Sequence, residues 1–231
     1  MLNLTRPARN NDQKFRLYLF LNDIVSICDL IKFTPKKIIE IGVGTTDGVQ
    51  SLEFLLNGAE GILFEPHPSF YKELEVDLSR YPNIQVLNKG IYKESGIQKF
   101  YDKWACTFIG NMYEHSGAKI QDNYTMDEKD SFFCAVDTID NYDNGDIDLL
   151  CMDCESCEWF VLEKLKSRPT VIQIETHSVY SNYHPFNIKE IENWFKTNDY
   201  EVIANNESDC VYVKSEYLLK LGKIELNIRK E

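Results

Sequence analysis

The chain has 231 residues, of which 43% are hydrophobic and 27% charged, a balance typical of a globular protein with one core. Its formal net charge of -12 argues against nucleic acid as a partner, because an acidic surface repels phosphate. No stretch approaches the roughly 20 apolar residues that span a bilayer, and the first residues lack the apolar core of a signal peptide. With an odd count of seven cysteines, these features predict a cytoplasmic or otherwise intracellular, reducing location.

Helical and strand patterns alternate along the chain. Residues 12–32 form an amphipathic pattern, and we expect residues 1–35 to be a leader and a helix that packs on the core, with a homodimer face as the alternative use of that helix. Further helices are predicted at 49–58, 68–81, 157–167 and 187–200. Strands are predicted at 37–41, 61–66, 83–92, 96–102 (as an edge strand), 146–153, 170–177 and, as a hairpin, within 200–215.

This alternation predicts an α/β fold with a doubly wound, mostly parallel sheet that closes with an antiparallel hairpin. The main domain is expected over 36–215, with a tail over 216–231. Residues 102–131 have no clear period, which is typical of a substrate lid or a long loop. Four rings of that segment either pack it onto the core or stack on an acceptor molecule: Trp104, Phe108, Tyr113 and Tyr124.

The clearest motif is EIGVGTTDG over residues 40–48, where a predicted strand turns into a helix. Gly42 and Gly44 let the backbone approach a ligand, and a helix that starts near Asp47 would direct its free N–H groups to the same place. Glu40 ends the strand and is a candidate acceptor for an ammonium group. A Gly-rich turn alone is weak support for a ligand site.

A second acid strengthens the motif. Glu65 ends the next predicted strand, about 20 residues later, where nucleotide-binding sheets place a carboxylate for the ribose hydroxyls. The glycine run lacks the third glycine phase of dinucleotide sites. An acid at the strand end would also repel a pyrophosphate. The two motifs together therefore favour S-adenosylmethionine (SAM) over a nicotinamide dinucleotide.

With the later segments NIQVLNKGIYKESGIQKFY, IDLLCMDCESCEWFVLEKL and VIQIETH, the sequence resembles the FkbM-type methyltransferases, a family of class I SAM-dependent enzymes. The resemblance covers about residues 36–213 and implies a Rossmann-like fold with a seven-stranded sheet. It also implies O-methylation of a sugar, glycan or other small molecule. The family pattern D-x-E-G-x-E appears here with Asp153, Glu155, Ser156 and Glu158, so that Ser replaces the usual Gly.

The resemblance implies how the cofactor is held. Glu40, Gly42, Gly44 and Asp47 would surround its methionine part, and Glu65 would take the ribose. Pro66 and the loop that contains Lys89 and Gly90 would lie near the adenine, and Asp153 would lie beside the donor methyl.

Methyl transfer to a hydroxyl needs alignment and benefits from a base. The candidates at strand ends are Asp153, Glu155 and His177, while His115 and His184 could enter from loops. As an alternative, Asp153, Glu175 and His177 could ligate a divalent metal such as Mg²⁺.

Three hypotheses stay open from the residues. The first is the methyltransferase, and the second is a methyltransferase-like protein that binds SAM without catalysis, which Ser156 would suit. The third is an NAD(P)-dependent oxidoreductase, although no Tyr-x-x-x-Lys pair is evident. The run Cys151, Cys154 and Cys157 is interpreted as structural thiols rather than an iron–sulfur site, because a fourth nearby cysteine is missing.

Overall fold

A computed structural model describes residues 24–103, 106–120, 122–176, 186–205 and 208–220 of the chain. Within these residues the α-helices are α1 to α7 in chain order: Ile24–Leu30, Leu52–Leu56, Pro68–Leu78, Gly117–Ile120, Glu158–Leu162, Ile188–Thr197 and Ser215–Lys220. The strands are β1 to β11 in chain order: Lys37–Ile41, Glu60–Phe64, Ile84–Leu87, Gly90–Ile91, Gly96–Lys103, Cys106–Ile109, Ser131–Asp137, Leu149–Met152, Val171–Glu175, Tyr200–Asn205 and Asp209–Lys214.

Seven of these strands form the main sheet, in the order β10-β11-β9-β8-β1-β2-β3. The five strands from β9 to β3 run parallel, and β11 and β10 add an antiparallel pair at one edge. The predicted doubly wound α/β sheet with a closing hairpin is therefore confirmed. The direction of the winding changes between β1 and β8, which is where such sheets place their ligands.

A second sheet of four strands, in the order β4-β7-β5-β6, was not predicted. The predicted strand over 83–92 is in fact two strands, since β3 belongs to the main sheet and β4 to the second one. The prediction of an edge strand at 96–102 is also wrong, because β5 pairs with β7 on one side and with β6 on the other. β7 is distant from β5 in sequence, whereas β6 is the next strand along the chain but lies in the segment 102–131, whose sequence shows no clear period.

The cores lie on the two faces of the main sheet and beneath the second sheet. On one face α1, α2 and α3 bury Ile27, Leu55 and Leu74, and on the other α5 and α6 bury Val161 and Phe195. A third cluster joins the second sheet to α5, through Phe100, Ile109, Val136 and Phe160. The second sheet is thus packed beside the carboxyl end of β8, where α5 begins.

The structure also bears on the ends of the chain and the segment 102–131. Residues 12–23 of the predicted first helix lie outside the described residues, and α1 is the part that is seen. The segment is more regular than its sequence suggests, since it includes β6 and α4. Its use as a lid and the two predicted boundaries of the main domain, at residues 35/36 and 215/216, stay predictions. Among the described residues, no helix has the length and apolar character needed to cross a membrane.

Candidate active site

The register of the main sheet places acidic residues side by side at its carboxyl edge. Asp209 of β11 pairs with Glu175 of β9, and Asp153 follows the Met152–Ile174 pair, which puts it beside Glu175. One pair deeper on the same face lie Glu40 of β1, Cys151 of β8 and Gln173 of β9. This edge opens into a cavity of about 500 Å³.

Gly42 and Gly44 form the floor of the cavity, and they are required for different reasons. Both have positive φ, of 76° and 68°. A Cβ at residue 42 would lie 1.7 Å from the Asp153 carbonyl oxygen, whereas a Cβ at residue 44 would meet nothing within 4 Å. Gly42 therefore allows β1 to approach the end of β8, while Gly44 supplies only the left-handed turn.

Glu65 points at this glycine bend. Its Oε2 accepts a hydrogen bond from the Gly44 N–H at 2.6 Å, and its Oε1 accepts one from the His67 N–H at 2.7 Å. Burial raises the pKa of Glu65 to about 7, although the two hydrogen bonds oppose that rise. Glu65 lines the cavity together with Pro66 and Phe70, and the sequence did not indicate Phe70.

Glu40 holds the chain that leads into α2. Its carboxylate accepts hydrogen bonds from the Gln50 N–H at 2.7 Å, the Ser51 N–H at 3.1 Å and the Ser51 hydroxyl at 2.6 Å. Glu40 lines the cavity although it is only 3% exposed, and burial raises its pKa. Both carboxylate oxygens of Glu40 thus already accept hydrogen bonds from the protein. The predicted ammonium group would be a further hydrogen-bond donor to them.

Two residues predicted near the cofactor do not line the cavity. Asp47 lies exposed in a 3-10 turn, because α2 starts only at Leu52. Lys89 donates instead to the Tyr142 hydroxyl at 2.8 Å and to Asp137 at 3.3 Å. Its neighbour Gly90 does line the cavity.

A cluster of carboxyl groups lies at the carboxyl ends of β8 and β9, and two of its members, Asp153 and Glu155, line the cavity. One oxygen from each of Asp153, Glu155 and Glu175 lies within 4.8 Å of the others. Glu158, the first residue of α5, is buried next to them and is 1% exposed. We call Asp153, Glu155, Glu158 and Glu175 the carboxyl cluster.

The pKa values of the cluster are all raised, in each case mainly because the surrounding protein desolvates the carboxyl group, and this includes Asp153 although that residue is exposed. The pKa of Asp153 rises to about 6, that of Glu158 to about 7 and that of Glu155 to about 8. Negative charge on the neighbouring acids adds to the effect, and at Glu175 three such neighbours push the pKa well above its usual range. A carboxyl of this kind can accept or hold a proton near neutral pH.

The turn that carries Glu155 has an unusual backbone. Glu155 and Ser156 have φ of 49° and 74°, in the left-handed region that favours glycine. Ser156, which stands where the resembling family has Gly, thus keeps the conformation that Gly would adopt. Its hydroxyl donates to the His115 carbonyl at 2.6 Å, which ties the turn to the segment around α4.

The second sheet forms a wall that the sequence did not indicate. Phe100 of β5 and both Thr107 and Ile109 of β6 line the cavity. The Thr107 hydroxyl is buried and has no hydrogen-bond partner. One indication of this wall was present in the sequence, because β6 lies inside the segment 102–131, which was expected to be a substrate lid or a long loop.

Several other predicted candidates are packed away from the cavity or lie outside the described residues. The ring of Phe108, which is 1% exposed, stacks near Tyr113 and meets Tyr124 edge-on, so these three pack the segment. His115 contacts the Phe186 ring and does not line the cavity. Three predicted residues lie outside the described part of the chain: Trp104, His177 and His184.

The cysteine run does not form a metal centre in the described part of the chain. Cys151 and Cys157 are buried free thiols, and Cys154 is half-buried. Burial raises the pKa of each thiol well above its usual range, which keeps them protonated. Among the described residues, the only group of His, Cys, Asp and Glu side chains spaced to hold an ion is Asp153, Glu155 and Glu175.

Comparison with known proteins gives one family match. The family model described as "Methyltransferase FkbM domain" matches residues 42–202. A search of curated proteins found no match. The matched range begins at the glycine bend and ends within β10, so it includes the cavity floor, the carboxyl cluster and the second sheet.

Solved structures with a similar fold share little sequence with the chain. A putative RNA methyltransferase from Pyrococcus horikoshii is 12% identical, with 82% of this chain and 80% of that one covered and a TM-score of 0.43. A SAM dependent methyltransferase from Aquifex aeolicus is 10% identical, with coverage of 84% and 90% and a TM-score of 0.43. A precorrin-6y C5,15-methyltransferase from Geobacter metallireducens is 11% identical, with coverage of 85% and 77% and a TM-score of 0.38.

Proposed function

Because the chain belongs to the FkbM methyltransferase domain family, we propose that it transfers the methyl group of SAM to a hydroxyl of a sugar, glycan or other small molecule. The observation that carries the proposal is the cavity itself. Glu65, whose carboxylate is hydrogen-bonded to the glycine bend, lines this cavity, and so do Asp153 and Glu155 of the carboxyl cluster.

The cavity suits the shape and charge of SAM. The ribose hydroxyls would bind Glu65, the adenine would lie near Pro66 and Phe70, and the methionine part would follow the bend at residues 42–45. Among the described residues, no lining side chain is basic, and five are acidic: Glu40, Glu65, Asp153, Glu155 and Asp209. SAM carries a net positive charge, so it is attracted to these carboxylates, whereas the pyrophosphate of NAD(P) would be repelled.

The transfer is a direct displacement. The acceptor oxygen attacks the methyl carbon, the bond from that carbon to sulfur breaks, and S-adenosylhomocysteine leaves. The hydroxyl proton passes to a base, for which Asp153, Glu155 and the predicted His177 are the candidates. Glu155 has a pKa of about 8 in the chain without a bound ion, so in that state it is half-ionised near pH 8, as suits a base that transfers protons efficiently.

The acceptor would contact the second sheet. Thr107 offers a buried hydroxyl without a partner on the cavity wall, and Phe100 and Ile109 offer apolar surface. This combination suits a ring that has both hydroxyls and apolar faces. Because the lining is acidic, we expect neutral acceptors to be used better than phosphorylated ones.

The test begins with binding. Calorimetry with SAM, S-adenosylhomocysteine and NADH should show binding of the first two only. Glu65→Ala should weaken SAM binding by about tenfold or more, because a charged group bound to hydroxyls is lost. The matched control is Glu60→Ala, which removes an exposed acid at the start of the same strand.

Turnover is tested next, with methyl-labelled SAM and a panel of neutral and phosphorylated sugars. Transfer to a neutral hydroxyl acceptor would support the proposal. Binding of SAM with no transfer to any acceptor would favour the catalytically silent alternative. Binding of NADH without SAM would overturn the assignment of the cavity.

A further inference from the structure

We propose that Asp153, Glu155 and Glu175 form a binding site for a divalent cation such as Mg²⁺ or Mn²⁺. The site lies at the carboxyl ends of β8 and β9. It differs from the metal hypothesis drawn from the sequence, because Glu155 replaces His177, which lies outside the described residues. The binding site itself does not depend on the identity of the cofactor.

The first observation is geometric. The three carboxyl groups come from three separate positions, namely the end of β8, the left-handed turn after it and the end of β9. Even so, one oxygen from each lies within 4.8 Å of the others. Carboxylate oxygens gathered from several directions are the ligands that Mg²⁺, Mn²⁺ and Ca²⁺ prefer.

The second observation is independent of that distance and concerns Glu158. Its Oε1 accepts a hydrogen bond from the Cys154 N–H at 3.1 Å, but its Oε2 is buried and has no hydrogen-bond partner. The residue is 1% exposed and begins the helix that follows the left-handed turn. Glu158 therefore adds a buried oxygen without a hydrogen-bond partner directly after the turn that carries Glu155.

Gln173 of β9 also has a side-chain oxygen without a hydrogen-bond partner. It lies one pair deeper than Asp153 and Glu175, lines the cavity and is only 3% exposed. Its Oε1 is also buried without a partner. Buried oxygens of this kind need a partner, because an unsatisfied polar group in a protein interior costs free energy. The water molecules bound to a hydrated cation would donate hydrogen bonds to the oxygens of Glu158 and Gln173.

Charge gives the third argument. The cavity has five acidic lining side chains and, among the described residues, no basic one. A divalent ion at the cluster would place two positive charges where the acids are closest together.

The cation would have a chemical role, and this part of the inference rests on the proposed function. A metal ion lowers the pKa of a hydroxyl that it binds and fixes its position. An acceptor hydroxyl held beside Asp153 would thus be activated at the place where the donor methyl is expected.

The experiment uses the full chain after treatment with a chelator. Calorimetry with MgCl₂ and MnCl₂, and Mn²⁺ electron paramagnetic resonance, should show one site. Glu155→Gln and Glu175→Gln should each weaken ion binding at least tenfold, since each removes a charged ligand. Glu163→Gln is the control, because Glu163 is an exposed acid at the opposite end of α5 from Glu158, and this variant should bind the ion as the native chain does.

Two results would overturn the inference. One is the absence of Mn²⁺ binding at millimolar ion, and the other is equal binding by both cluster variants and the native chain. Circular dichroism would check that the variants fold. SAM binding is measured on the same samples, so that intact SAM binding with no ion site would contradict only this inference, and an ion site without SAM binding would contradict only the proposed function.

Discussion

One aspartate precedes strand β8 and another follows it, and the acidic residues near the two ends of the strand have opposite surroundings. At the amino end, Asp148 accepts hydrogen bonds from the Lys36 and Lys37 N–H groups at 2.9 and 3.1 Å. Nearby Asp143 is fully buried and accepts from the N–H groups of Gly145, Lys166 and Ser167. At the carboxyl end, the acids of the carboxyl cluster lie against one another.

The pKa values record this difference. Burial acts to raise the pKa of Asp143, but hydrogen bonds from Ser167, Gly145 and Lys166 outweigh it and the pKa is lowered. In the carboxyl cluster burial raises the pKa values and the neighbouring acids add to that rise. The same residue type therefore stabilises one end of the sheet and destabilises the other. Acidic groups that lower the stability of the folded protein in this way are typical of functional sites.

The largest effect is expected at the amino end. Asp143→Ala should lower the free energy of unfolding by about 3 kcal/mol, because several buried N–H donors and the Ser167 hydroxyl lose their acceptor. Urea unfolding measures the change. Asp146→Ala, which breaks an exposed ion pair with Lys37, is the control and should cost less than about 1 kcal/mol. Equal losses in the two variants would remove the contrast between the two ends.

The next effect is a dependence of stability on pH. Glu65, Glu155 and Glu158 have folded-state pKa values of about 7, 8 and 7, above the unfolded value of 4.5. Their protonated forms favour the folded state, so the stability that they contribute is present below that unfolded value. It is lost as the pH rises through 7 and 8, with a total of a few kcal/mol. Urea unfolding in chelator across this range measures it, and a stability that rises with pH would contradict the expectation.

A smaller effect is expected when one acid of the cluster is neutralised. Glu158→Gln should raise the free energy of unfolding at about pH 8 by roughly 1 kcal/mol, because a buried charge among like charges is removed, and should change little at about pH 5. The exposed Glu163→Gln should change neither value. A loss of stability at both pH values would mean that Glu158 is held by favourable contacts.

The smallest effect concerns the turn at the carboxyl end. Ser156→Gly should change stability by less than about 1 kcal/mol, because relief of the left-handed backbone offsets the lost hydrogen bond to His115. Ser156→Val, which introduces a β-branched side chain in that conformation and loses the hydrogen bond, should cost about 2 kcal/mol. Thermal unfolding of the two variants compares them, and equal changes would show that the backbone is not strained.

The main sheet was predictable because each of its strands has its own local pattern. The glycine bend and Glu65 were also visible, since their spacing along the chain fixes their positions at adjacent strand ends. The second sheet was not visible, because β4 has only two residues and pairs with β7, which is distant in sequence. Thr107 was missed because β6 lies in the segment 102–131, whose sequence shows no clear period.

The carboxyl cluster was predictable only in part. Asp153 and Glu175 follow from the ends of neighbouring strands, and Glu155 from its closeness to Asp153. The burial of Glu158 was not expected, because a glutamate at the start of a helix is usually exposed. Its place in the D-x-E-x-x-E spacing was the available signal.

The wall made by β5 and β6 has a consequence for how an acceptor would be selected. Strands that are hydrogen-bonded to each other are already ordered before a ligand arrives, so little conformational entropy is lost on binding. A hinged cover would adapt to acceptors of different size, whereas a fixed wall rejects those that do not fit. Changes at Thr107 or Ile109 would therefore alter which acceptors are accepted and leave the donor side of the cavity as it is.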